Sequence, residues 1–146
     1  MLVRKIWLPV MLIVLVDTSC TIKKDVYAEP VKDLNALWRI QNVTRNSVDI
    51  TRYVDSTDFR LTLSTDKTYT LTGNSIPFLV SGGSGTWSAD DPQYPYSLTF
   101  KPTNSTSSFA GSIATPASKG QRTLSITFSP GCHSNTYIYT FEKVTQ

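Results

Sequence analysis

The sequence predicts an all-β domain, a single antiparallel up-and-down barrel of about eight strands, with a two-sheet β-sandwich as the alternative. Three observations carry this. Residues 59–73, FRLTLSTDKTYTLTG, hold two runs of alternating apolar and polar residues joined by a short polar connection. The same alternation returns downstream, with turn-forming residues between the runs. No long stretch shows the period of roughly 3.6 residues that marks an amphipathic helix. Successive side chains on a strand point to opposite faces, so each run belongs to a sheet with one buried and one wet side.

The chain opens on a separate signal. Arg4 and Lys5 precede an uncharged apolar run at residues 6–16, interrupted by Pro9. That run is shorter than the ~20 residues a membrane-spanning helix needs and matches the ~7–15 of a signal-peptide core. Asp17, Thr18, Ser19 and Cys20 follow. This arrangement resembles a bacterial lipoprotein signal, with Ser19 as the small residue before the cut and Asp17 where an aliphatic residue is usual. The resemblance implies that residues 1–19 are removed and that Cys20 carries lipid. It also implies that the protein sits in a bacterial cell envelope as an outer membrane lipoprotein, on the periplasmic or the surface face. Soluble export with a cut after Ala28 is the competing reading. Lys23, Lys24 and Asp25 lie between the apolar run and that site, which favours Cys20. Residues 20–32 are polar and aperiodic and form a tether; residues 33–146 form the domain.

Removing residues 1–19 from the chain of 146 leaves enough for one core. The remainder carries 12 Lys and Arg against 10 Asp and Glu, a net charge of +2. Its basic residues, among them Arg39, Arg60, Lys101 and Arg122, are scattered, which excludes the footprint of a nucleic-acid binder. With lipid on Cys20, Cys132 has no intramolecular partner, so the hydrophobic core must supply the stability.

The strands follow in order. Trp38 and Ile40 alternate with Arg39 and Gln41. Residues 46–58 form a helical turn or an irregular link. Phe59, Leu61 and Leu63 lead into Tyr69 and Leu71 as a hairpin. After an interruption come Gly85-Thr86-Trp87-Ser88, then runs on Tyr96, Leu98 and Phe100, on Phe109, Gly111 and Ile113, on Leu124, Ile126 and Phe128, and on Tyr137, Tyr139 and Phe141. The expected core includes Trp38, Phe59, Leu61, Leu98 and Phe128. Leu34-Asn35-Ala36-Leu37-Trp38 resembles the L-x-G-x-W opening of lipocalin-like domains, with Ala36 in the glycine position. Together with the Asp66-Lys67-Thr68 turn and Gly85-Thr86-Trp87, it resembles the lipocalin-like (calycin-type) lipoproteins of unknown function found in Bacteroidota. The resemblance spans residues 34–143. It implies a barrel closed at one end by Trp38, with the connection after the first strand flanking the open end.

Residues 74–84 break the alternation. Ile76, Phe78 and Leu79 there form either a lid at the barrel mouth or a plug in the core. Trp87, Tyr96, Tyr137 and Tyr139 are aromatic surfaces with polar tips, suited to stacking on a sugar or lining a pocket, or else to core packing. Cys132 and His133 are sequence neighbours, which in an extended segment point apart, so they do not form a catalytic dyad. Asp90-Asp91 before Pro92 are turn formers. No spaced His/Cys set, phosphate loop or cofactor motif occurs. The expectation is a non-catalytic envelope protein without metal or cofactor, binding a small apolar molecule or a glycan. The alternative is an accessory lipoprotein with a solid barrel that binds another protein through its surface.

Overall fold

The computed structural model of the protein describes residues 31–73, 78, 80, 83–118, 120–131 and 134–145. The leader, Cys20, nearly all of the tether, Ile76, Leu79, Cys132 and His133 lie outside the described residues. The strands are β1 (Ala36–Arg45), β2 (Val48–Asp49), β3 (Arg60–Leu63), β4 (Thr68–Thr72), β5 (Gly83–Ala89), β6 (Ser97–Pro102), β7 (Phe109–Ala114), β8 (Ala117–Ser118), β9 (Gln121–Arg122), β10 (Leu124–Phe128) and β11 (Tyr137–Lys143).

Antiparallel pairing runs β1-β3-β4-β5-β6-β7-β10-β11, and β11 pairs back onto β1. The eight strands therefore form a closed barrel, and the sandwich alternative falls because no free sheet edge is left in the ring. The short β2 is an extra strand on the end of β1, and β8 and β9 make a separate ribbon. A single 3-10 turn, Thr51–Tyr53, occupies the link after β2.

Strand β1 makes the closure. It pairs with β3 through Ala36, Leu37, Trp38 and Arg39, and with β11 from Trp38 to Arg45. Ile40 stands opposite Phe141 and Asn42 opposite Thr140, so Gln41 is an extra residue, a β-bulge. A bulge shifts the parity of the side chains that follow it. Trp38 and Ile40 face inward before it and Val43 after it, so both halves of the strand feed the core. Just before β1 the chain is pinned by the Trp38 indole, whose Nε1–H donates to the Leu34 carbonyl at 3.0 Å while the ring is buried.

Turn chemistry fits the hairpins. Asn46 and Ser47 both have positive φ, the backbone of a two-residue turn between β1 and β2. Lys67 takes φ 65° at the end of the β3–β4 turn, and Asp66 Oδ1 accepts the Thr68 N–H at 3.0 Å and its hydroxyl at 2.6 Å. Gly85 answers a different need. It pairs across from Tyr69, and a Cβ there would lie 2.1 Å from the Lys101 carbonyl oxygen and 2.8 Å from the Tyr69 ring. Only a residue without a side chain fits that crossing.

Inside the ring Trp38, Phe59, Leu61, Leu98 and Phe128 are all buried, with Leu63, Tyr69, Trp87, Phe100, Leu124, Ile126, Tyr139 and Phe141. Two substitutions test this packing in urea titrations. Trp38→Ala is expected to cost about 3–5 kcal/mol. Gly85→Ala is expected to cost at least the upper part of the ~1–3 kcal/mol of an overpacked core, because the clash is with backbone. A loss below about 1 kcal/mol for either contradicts the position assigned to it.

Candidate functional site

The hairpin order sorts the connections between two ends. The chain enters at the end that carries the β3–β4, β5–β6 and β7–β10 connections; the connections after β1, β4, β6 and β10 gather at the far end. The resemblance-based expectation that the link after β1 flanks the open end concerns this far end.

Phe78 belongs to the far-end connection between β4 and β5, and its ring enters the barrel. It meets Phe59 at 5.3 Å, Tyr139 at 5.3 Å, Phe128 at 5.7 Å and Phe141 at 5.9 Å between ring centroids, all edge-on. Phe128 in turn stacks on Tyr137 at 5.8 Å and on Tyr139 at 5.5 Å. Each such pair contributes about 0.5–1.5 kcal/mol beyond burial. Of the two roles open to Phe78, this geometry is that of a plug. Phe78 is only half-buried, and one side of its ring reaches the surface of the mouth.

Among the described residues, two grooves at the far end flank Phe109. One, of about 480 Å³, is lined by Phe78, Phe109, Phe128, Ser108, Ser129 and Pro130, among others. The other, of about 380 Å³, is lined by Tyr69, Ser84, Pro102, Thr103, Asn104 and Ser105, and again by Phe109. Both fall within or near the ~300–1,000 Å³ of small-molecule sites. Phe109 forms a wall of both and is 39% exposed, an apolar ring with hydroxyl and amide groups on either side. No described residue lining either groove carries a charge. A third hollow beside Asp49, Thr51 and Arg52 is of similar size. Its polar groups are engaged locally: Asp49 accepts the Thr51 N–H, the Thr51 hydroxyl accepts the Val43 N–H, and Arg52 lies over the Tyr53 ring.

The structure divides the sequence-selected aromatics. Phe78, Tyr137 and Tyr139 come together near the mouth, with Phe128 between them. Trp87 is buried toward the entry end, its Nε1–H on the Ser64 carbonyl at 3.3 Å and the Lys67 ammonium 4.1 Å from its ring. Tyr96 precedes β6 at the same end and is exposed. Phe109 was not singled out by the sequence, because its alternation with Gly111 and Ile113 assigns it to the inner face. At the rim, where its strand begins, it turns half outward.

Among the described residues no group of three or more His, Cys, Asp or Glu side chains is arranged to hold a metal ion. Asp90 and Asp91 act as loop anchors: Asp90 Oδ1 accepts the N–H groups of Tyr96 and Ser97, and Asp91 Oδ1 those of Gln93 and Tyr94. The Ser97 N–H is the chief reason the Asp90 carboxyl sits below its ordinary value. Hydrogen bonds from Thr51 do the same for Asp49, and those from Thr68 for Asp66. Burial first, and the neighbouring Tyr137 second, push the Tyr139 phenol well above its ordinary value.

These shifts set the pH response. A depressed carboxyl stabilises the fold above its unfolded value near 3.8 and loses that contribution as pH falls through the folded value. A raised tyrosine stabilises below its unfolded value near 10.0 and loses that contribution as pH rises beyond it. Urea midpoints are therefore expected to be flat between about pH 5 and 9 and to fall on both sides. Tyr139→Phe is expected to reduce the alkaline limb and leave the acid limb as it is, the remainder coming from Tyr69, whose phenol burial also raises; an unchanged alkaline limb contradicts the assignment. Phe78→Ala is expected to cost roughly 2–4 kcal/mol, below the range for a fully buried ring because one side is already open.

Residues 17–142 match the family described as a domain of unknown function, DUF5004. No curated protein and no solved structure matches the chain. The family match begins at Asp17, ahead of Cys20 and of β1, so the matched unit takes in the segment leading into the barrel as well as the barrel itself.

Proposed function

The chain belongs to the DUF5004 family, and we propose that it is a lipid-anchored, non-catalytic binding protein of a bacterial cell envelope. Its ligand, a small apolar molecule or a glycan, seats at the far end of the barrel against Phe109 and not inside the ring. The observation that carries this is a pair of grooves that share Phe109 as a wall and have no charge among their described lining residues. An aromatic face flanked by Ser84, Thr103, Asn104, Ser105, Ser108 and Ser129 offers stacking and hydroxyl or amide contacts without charge, the chemistry that suits a neutral ring-shaped ligand. Anchoring rests on the apolar leader ending at Cys20, which the family match overlaps from Asp17 onward.

One observation favours a second reading. The interior holds the protein's own rings around Phe78, as a solid accessory barrel would, in which case the outer surface binds another envelope protein.

A binding screen separates the two. The purified protein is titrated with a panel of neutral oligosaccharides and with anilinonaphthalene sulfonate as an apolar probe, followed by calorimetry. The proposal expects at least one to bind and Phe109→Ala to weaken it by about tenfold or more, as for a central aromatic contact. Because Phe109 is half-exposed, stability is expected to change by less than about 1 kcal/mol. Absence of binding across the panel, or binding indifferent to Phe109→Ala, overturns the site and leaves the accessory reading. The anchor is tested apart from the ligand: Cys20→Ala is expected to move the protein from the membrane fraction to the soluble fraction, and retention in the membrane contradicts lipidation at that cysteine.

A further inference from the structure

The entry end of the barrel carries an exposed aromatic patch of its own. Tyr96 is 73% exposed, Tyr94 47% and Val31 65%. Tyr94 and Tyr96 lie on the β5–β6 connection, and Val31 is the first described residue of the incoming chain. The two segments are fastened together. The Lys32 N–H donates to the Pro92 carbonyl at 3.2 Å, and the Lys32 ammonium lies 5.5 Å from the Tyr94 ring centroid. The connection is held in shape by its own carboxylates. Asp91 Oδ1 accepts the Tyr94 N–H at 2.8 Å and Asp90 Oδ1 the Tyr96 N–H at 2.9 Å, so the backbone that presents both rings is fixed.

Chain length limits how far this patch can stand from a lipid on Cys20. Val31 follows Cys20 by eleven residues, which even fully extended reach no more than about 40 Å. A lipid on Cys20 therefore keeps the entry end within about 40 Å of a bilayer surface, near enough for its tyrosines to reach it. Tyrosine with a neighbouring lysine is the side-chain combination that settles at a membrane–water interface, the ring in the headgroup layer and the ammonium in water. We propose that the entry end rests on the lipid headgroup layer through Tyr94 and Tyr96, which turns the grooves beside Phe109 away from the membrane. This rests on the reading of Cys20 as the lipidated residue. The anchor then has a partner in the barrel itself, and the folded domain has a defined orientation.

The test uses the full-length protein, processed in a bacterial host and reconstituted into vesicles of phosphatidylcholine with brominated acyl chains, which quench tryptophan at the interface. Tyr96→Trp and Phe109→Trp place a reporter at either end; both positions are solvent-accessible, and the native Trp38 and Trp87 give the same buried background in both. Tyr94→Trp is the substitute if Tyr96→Trp does not accumulate. Vesicle flotation is measured first. The proposal expects flotation, loss of about half or more of the added emission for Tyr96→Trp, and an unchanged emission for Phe109→Trp. Flotation with no quenching at position 96, or with equal quenching at position 109, overturns the orientation and leaves the anchor standing; the first of these outcomes is also what a protein partner on the patch would give. Failure to float, with an unmodified cysteine by mass spectrometry, overturns the anchor and the orientation together.

Discussion

Everything in this molecule depends on the pairing of β1 with β11. Without it both strands would be edges, each with a row of unpaired backbone groups, and the inner faces would not enclose a core. The pairing is long because β1 is long, and a long strand in a small barrel must twist. The bulge at Gln41 accommodates that twist and resets the side-chain parity, so that Trp38, Ile40 and Val43 all reach the interior. Closure thus rests on one extra residue as much as on any apolar contact. The buried Tyr139 and Phe141 on the other side of the seam are held by the same register.

Closure also decides where a ligand can sit. The ring of strands holds its own aromatics, and Phe78 packs among them from the β4–β5 connection. A guest in that space would have to displace a ring that touches Phe59, Phe128, Tyr139 and Phe141, whereas the grooves on either side of Phe109 are already open. The proposed binding site therefore lies at the rim and not on the barrel axis, where a lipocalin-like resemblance would first look for it.

Much of the fold was legible because alternation is a local signal. The hairpin of β3 and β4, and the runs in β6, β10 and β11, appear where the apolar spacing puts them, and the core residues read from them are buried. Three features were not legible. The bulge at Gln41 is defined by its partner strand, and nothing near residue 41 marks it. The start of β5 at Gly83 is hidden by glycine and serine, which carry no alternation. The site was the least legible part: Trp87 and Tyr96 resemble Tyr137 and Tyr139 in chemistry, but antiparallel winding sends them toward opposite ends. Phe109 was missed because its place at a strand end outweighs its place in the alternation.

The proposed arrangement is an interior holding the protein's own rings, with the binding surface at the rim. Its most direct test is amide and methyl NMR of the labelled protein during titration with whichever member of the oligosaccharide panel, or the naphthalene probe, binds. Shifts are expected to be confined to Ser84, Thr103, Asn104, Ser105, Ser108, Ala110 and Ser129, with the methyl groups of Leu61, Leu98 and Ile126 unmoved. Shifts that instead concentrate on Leu61, Leu98 and Ile126 would show a guest inside the barrel and contradict it.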